Sequence, residues 1–336
     1  MEQFNWSEII GHKNKINQIR EMIKAKNFPN AVIFSGVAGI GKRKIAEIAA
    51  AALLCENDDA DNLPCGECNS CRSLIAGTHP DYYTVEPDRS KANPMIKIDQ
   101  IRSLQKEVLV MPILSDKRMV LIDDAECMNN VSQNCLLKTI EEPQGLSKFI
   151  LITSNRSRLL LTLQSRCMII NFERLTEENI KSGLINRGTE NAEKIAIISN
   201  GSLGQAIGLA ENDGLLIRED SLKFLENLSK LNNEEIFQTG QQLSTQPKDI
   251  FRDWTINIQK FLRDLLIVDT EIENNYYYNH DLKKRLQKLR DKLNLKNIFE
   301  MMNQTTEIQR RLNSNANLEL LIESFFIRLK RSSMKE

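Results

Sequence analysis

Residues 36–43 carry the pattern of a phosphate-binding loop with one position changed. Gly36, Gly39 and Gly41 supply the backbone freedom that lets N–H groups close around phosphates, and Lys42 is the lysine that reaches the β- and γ-phosphates. The next position calls for Ser or Thr, whose hydroxyl holds Mg²⁺. Arg43 stands there instead. A guanidinium offers only N–H donors and a fixed positive charge, so it does not ligate a cation. The loop is expected to form, but with its ATP/Mg²⁺ chemistry badly impaired.

A second constellation follows directly. Cys55, Cys65, Cys68 and Cys71 place four of the chain's seven cysteines within a short stretch that also holds Pro64 and Gly66. Four thiolates complete a tetrahedral Zn²⁺ shell, and C-x₂-C spacing lets two sulfurs converge on one ion. With no open coordination position, the expected role of the zinc is structural. Cys127, Cys135 and Cys167 are scattered in apolar surroundings and are expected to be core thiols. Asp123 and Asp124 close an apolar run. They suit either Mg²⁺ and water positioning or simple helix capping. Ser165-Arg166-Cys167 precedes another apolar run. An arginine so placed is either a surface charge or a finger that completes a neighbour's site.

These groups need a scaffold. The apolar runs 31–35, 119–122, 149–152 and 167–170 are short, continuous and separated by helical stretches. They predict a buried parallel sheet with helices on both faces. The run 31–35 leads into the glycine loop, and 42–54 reads as a helix with Ile45, Ile48, Ala49 and Ala52 on one face. Beyond Phe172 no strand is expected. The pattern Leu318, Leu321, Ile322, Phe325, Leu329 is that of an amphipathic helix. Asn232-Asn233 and Gln246-Pro247 are expected helix breaks.

The chain has 336 residues, and its 45 Lys and Arg balance its 45 Asp and Glu. That balance argues against nucleic-acid binding by the whole chain. The first twenty residues lack an apolar signal core, and the run Ile45–Leu54 is too short to span a membrane. The expectation is a soluble cytoplasmic protein with no membrane contact.

Taken together, the motifs resemble the AAA+ clamp-loader subunits of bacterial DNA polymerase III. The matching features are the loop from Gly36 to Lys42, the cysteine insertion, and Gly77-Thr-His-Pro-Asp-Tyr-Tyr83. The segment Asn134–Pro143 is similar to the family's N-x-L-L-K-x-[LI]-E-E-P helix, Ser165-Arg166-Cys167 to its S-R-C motif, and 315–329 to its last helix. The resemblance implies an α/β AAA+ domain with a zinc module over residues 1–172. It further implies a small helical lid over 173–211 and an all-α collar over 212–336. The implied partners are gamma/tau and delta subunits in a hetero-pentamer, and through that complex the sliding β clamp and primed DNA. Three departures separate the chain from the family's gamma/tau ATPases: Arg43 for Ser or Thr, Asp123-Asp124 for Asp-Glu, and Gly201-Ser-Leu-Gly204 for the sensor motif G-S-L-R. They imply a subunit without ATPase activity of its own that lends Arg166 to a neighbour. The alternatives are a working gamma/tau-type ATPase and a zinc-dependent nucleic-acid module. The second is disfavoured by the neutral charge and by a cysteine cluster without basic or aromatic interleaving.

Overall fold

A computed structural model describes residues 4–88, 94–141, 146–211, 213–270, 277–312 and 317–334. Glu142 and Pro143 of the helix motif, the boundary residue Asn212 and Asn315 lie outside the described residues. The chain divides into two compact units. One comprises residues 1–89, 94–183 and 201–204, and the other residues 90–93, 184–200 and 205–336.

The first unit is built on five parallel strands: β1 (Ala31–Ser35), β2 (Tyr82–Val85), β3 (Arg118–Ile122), β4 (Ser147–Thr153) and β5 (Met168–Asn171). Their order across the sheet is β2-β3-β4-β1-β5. Four of them are the expected apolar runs, shifted by a residue or two. β2 was not expected, because its sequence Tyr-Tyr-Thr-Val lacks a continuous aliphatic run; among the described residues it is an edge strand, paired only with β3.

Alternation along each strand separates two cores. Val32 and Phe34 of β1 face one side, with Met119, Leu121, Ile150 and Ile152, against α1 (Lys13–Lys24) and α2 (Lys42–Leu54). Ala31 and Ile33 face the other, with Val120, Ile122, Phe149 and Leu151. That side packs on α4 (Ile98–Val108) and α5 (Asn130–Glu141). Strands covered on both faces are why the runs read as continuously apolar. The helices differ for the same reason. α1 buries only Ile16, Ile19 and Ile23, one stripe at helical spacing, whereas α2 buries ten of its thirteen residues. Its alanines let it lie close to the sheet, and a helix apolar on all sides belongs in an interior.

The second unit is helical throughout its described residues. After the short helices α7 (Glu177–Ile185), α8 (Ala192–Ile198) and α9 (Leu203–Ala210), its main elements are α10 (Gly214–Asn227), α11 (Asn233–Ser244), α12 (Lys248–Ile267), α13 (Lys283–Arg290), α14 (Leu295–Arg311) and α15 (Leu318–Ser333). Both expected breaks are helix starts: Asn232 caps α11 with its side chain, and Pro247 precedes α12. Phe224, Phe251, Trp254, Phe325 and Phe326 form an aromatic cluster, with Phe224 and Phe326 centroids 4.4 Å apart. Among the described residues no helix is long and apolar enough to cross a membrane.

Candidate functional site

The loop between β1 and α2 has the geometry its glycines promise. Gly39 and Gly41 adopt φ of 77° and 97°, conformations that L side chains rarely take. Lys42 is 5 % exposed and folds back on its own loop, donating to the carbonyls of Gly36 at 2.7 Å and Val37 at 2.8 Å. Burial lowers its pKa, and the carboxylates of Glu126, Asp123 and Asp124 work against that shift.

Arg43 turns its guanidinium onto three carboxylates. Nη1 is 3.0 Å from Asp123 Oδ2, Nε is 2.9 Å from Glu47 Oε1 and Nη2 is 2.5 Å from Glu86 Oε1. One guanidinium thus engages acids from the first turns of α2 and from the ends of β2 and β3. Hydrogen bonding to Glu86 leads in holding its pKa above the ordinary arginine range, with Glu47 adding to it and burial opposing. Asp123, the acid that in a phosphate-loop enzyme would hold Mg²⁺, is here paired with a permanent cation. Asp124 follows in a left-handed conformation at φ 47°.

The loop is also covered. Gly204 N–H donates to Gly39 O at 2.8 Å, and Ser202 Oγ donates to Ala38 O at 2.9 Å. A Cβ on Gly204 would come within 3.0 Å of Gly39 Cα, and one on Gly39 within 2.5 Å of Ser202 Oγ. Position 204 therefore does more than lack an arginine: its bare Cα is what lets the backbone rest on the loop. His12 closes the other side, its Nε2 3.0 Å from Ile40 O and its ring edge-on to Phe172. Glu86 and His12 escaped the sequence reading, whereas Ser202 lies in the Gly201–Gly204 motif, where its contact with the loop was not foreseen. Glu86 would have been found had β2 been recognised, since it extends that strand. His12 follows no local pattern.

The four cysteines converge. Cys55 ends α2, and Cys68 caps α3 (Asn69–Ile75). Their sulfur atoms all lie within 4.8 Å of one another, with Cys55–Cys65 at 3.5 Å, Cys55–Cys68 at 3.9 Å and Cys65–Cys71 at 4.0 Å. A tetrahedron of sulfurs around zinc at 2.3 Å has edges of about 3.8 Å. These separations fit that figure and are far too long for disulfides. Backbone N–H groups of Cys65, Cys68 and Cys71 point at the sulfurs of Cys55, Cys65 and Cys68, which favours thiolates. Burial opposes ionisation at Cys65, yet the N–H groups of Glu67 and Cys68 bring its pKa down to about 7, while burial pushes Cys55 and Cys71 up. Such a thiolate-rich set could hold a metal ion. Cys127, Cys135 and Cys167 pack against the core, as expected, and burial pushes the Cys167 thiol up to about 12.

Arg166 lies apart from both groups. It follows α6 (Leu161–Gln164) and precedes β5, whereas the glycine loop follows β1. β1 and β5 are parallel neighbours, with Ser35 opposite Asn171. The arginine and the loop therefore sit at opposite ends of the sheet, roughly 15 Å apart at ~3.3 Å per residue, beyond the reach of an arginine side chain. Arg166 Nε donates to Glu141 Oε1 and Nη1 to Thr162 O at 2.9 Å. Its side chain is 38 % exposed, and three of its five N–H donors have no acceptor among the described residues.

Comparison with known proteins assigns this arrangement to a family. A family profile for the DNA polymerase III delta subunit matches residues 11–176, and one for its C-terminal region matches 213–331. The delta' subunit of DNA polymerase III from Pseudomonas aeruginosa is 34% identical over 310 residues, covering 89% of this chain and 90% of that protein. The chain belongs to the delta prime family of DNA polymerase III subunits. The delta' subunit of Bacillus subtilis is 28% identical over 92% of this chain and 93% of its own length. The tau subunit of the same organism is 27% identical over 79% of this chain but only 50% of tau. These two delta prime relatives are matched almost end to end and tau over half its length, so the gamma/tau alternative is not favoured.

Restoring a side chain at the covered loop is expected to be disruptive. Gly204→Arg should lower the unfolding free energy by about 1–3 kcal/mol, the usual range for overpacking. Denaturant unfolding of the variant beside the parent protein checks this.

Proposed function

We propose that the chain is the non-hydrolysing delta prime subunit of a DNA polymerase III clamp loader. In this reading it joins gamma/tau and delta subunits in a hetero-pentamer in the cytoplasm, which loads the sliding β clamp onto primed DNA. Residues 1–172 form its AAA+ domain, 173–211 a helical lid and 212–336 a collar that packs against other subunits. The observation that carries the reading is the ion pairing of Arg43 with Asp123. A site whose metal acid is neutralised by its own arginine has no Mg²⁺-nucleotide cycle to drive closure, so this subunit stays in one shape while its neighbours switch.

The active group is then Arg166, offered outward. Glu141 and the Thr162 carbonyl hold two of its donors, and the remaining three are free to meet the γ-phosphate bound to an adjacent ATPase. There the guanidinium stabilises charge that develops in the transition state. Cys55, Cys65, Cys68 and Cys71 hold a structural Zn²⁺, and Gly36, Gly39, Gly41 and Lys42 are the remnant of a nucleotide loop.

Three outcomes are expected. The isolated chain shows no steady-state ATP turnover, and Arg43→Thr does not restore it, because Asp124 and Gly204 remain; turnover by the parent chain at the rate of a working loader ATPase would overturn the reading. Metal analysis finds one Zn²⁺ per chain, reduced in Cys68→Ser, with uptake weakening as pH falls because each ion displaces thiol protons. Arg166→Ala leaves the chain folded and able to assemble, but slows DNA- and clamp-stimulated ATP hydrolysis by the reconstituted loader. Arginine fingers are worth about 10³–10⁵ in rate at their own site, and other sites of the ring dilute that loss. An unchanged rate at matched assembly makes Arg166 a surface charge.

A further inference from the structure

Ser70, His79, Asp81 and Arg118 are polar, at most 6 % exposed, and touch neither the glycine loop nor Arg166; Asp81 directly precedes β2 and Arg118 opens β3. They form a continuous set of hydrogen bonds. Ser70 lies in α3 between Cys68 and Cys71, and its Oγ is 2.8 Å from His79 Nε2. His79 Nδ1 accepts the N–H of Asp81 at 3.0 Å. An accepting Nδ1 requires the neutral ring with its proton on Nε2, so His79 donates to Ser70. The Asp81 carboxylate then accepts the N–H groups of Ile113, Leu114 and Ser115 at 2.8, 2.7 and 2.9 Å. A second link runs beside the first: Ser115 Oγ donates at 3.3 Å to the carbonyl of Leu54, the residue before Cys55.

Arg118 fastens the same segment from its other end. It donates to the carbonyl of Glu107, to Val110 O at 2.7 Å and to Met111 O at 3.2 Å, and it stands 3.6 Å from Asp81. Buried groups thus occupy the backbone between Glu107 and Ser115. The side chains of Leu109, Val110, Met111 and Ile113 are left 60–76% exposed. Large apolar side chains held outward on a fixed backbone are a shaped surface rather than a loose loop.

We infer that the metal held by the four cysteines sets the conformation of residues 109–115, through Ser70, His79 and Asp81 and through the Leu54–Ser115 bond. This rests on the metal reading above. α3 has seven residues, too few to hold itself together, and its first turn is anchored by two of the four sulfurs. Without an ion to draw Cys68 and Cys71 toward Cys55, Ser70 leaves His79. The ring then loses the partner that fixes its tautomer and position, and Asp81 loses its alignment with three N–H groups. The cysteine module acts on the exposed apolar segment through its backbone N–H groups and the Ser115 hydroxyl.

Amide hydrogen exchange of the full-length chain tests this, with zinc content measured on the same sample. Chelation is expected to speed exchange at Ile113, Leu114 and Ser115 about three- to tenfold, the equivalent of one lost hydrogen bond, while the amides of Ile33 and Ile150 stay protected. Ser70→Ala, which removes no metal ligand, should speed the same three amides in zinc-loaded protein. That arm decides the matter if chelation unfolds the whole unit. Unchanged rates at 113–115 in zinc-loaded Ser70→Ala and after chelation, with the amides of Cys65, Cys68 and Cys71 exposed by the chelator, overturn the inference. A purified chain that contains no zinc and takes none up overturns the metal reading instead, so the two failures are told apart.

Discussion

One guanidinium governs the glycine-loop end of the sheet. Arg43 joins the opening turns of α2 to the ends of β2 and β3 through Glu47, Glu86 and Asp123. In a phosphate-loop enzyme that place belongs to a divalent ion, which arrives with nucleotide and leaves with product. A covalently attached cation does neither. The acids are neutralised permanently, Lys42 turns to the loop's own carbonyls, and the backbone at Gly204 lies directly on Gly39. Each of these contacts satisfies a polar group that would otherwise need a partner.

Parallel strand topology explains how one sheet serves two purposes. The loop follows β1 at one end, and Arg166 precedes β5 at the other. The two ends share no residue, so a change at the loop leaves the setting of Arg166 undisturbed. The pair with Glu141 is half-exposed and adds little to stability, as surface ion pairs do. Its effect is on orientation, leaving the outer N–H groups of the guanidinium available.

The cysteine module interrupts the passage from α2 to the edge strand β2, a position that accounts for its reach. α2 runs into Cys55, α3 starts at Cys68, and the turn after α3 carries His79 and Asp81 into the segment before β3. A small cysteine-lined turn placed there bears on the sheet's edge, not on its centre. The centre keeps its own apolar core around Phe34, Phe149 and Ile150.

The sequence by itself determined the sheet's central strands, the loop with arginine in place of Ser or Thr, the cysteine cluster and the Ser-Arg-Cys motif. Each is encoded locally: continuous apolar runs for strands buried on both faces, glycines where φ must be positive, and sulfurs at ligand spacing. The family membership was legible for the same reason, since its motifs are short and contiguous. Only the tertiary structure decided what Arg43 does, because its partners Glu86 and Asp123 come from distant strands and no local pattern pairs them. The edge strand β2 was illegible because polar and aromatic residues interrupt its aliphatic signal. The close approach of Gly204 to Gly39 and the link from Ser70 to Ser115 were likewise decided in three dimensions. They depend on where backbones and buried hydrogen bonds meet, and residue spacing does not record such meetings.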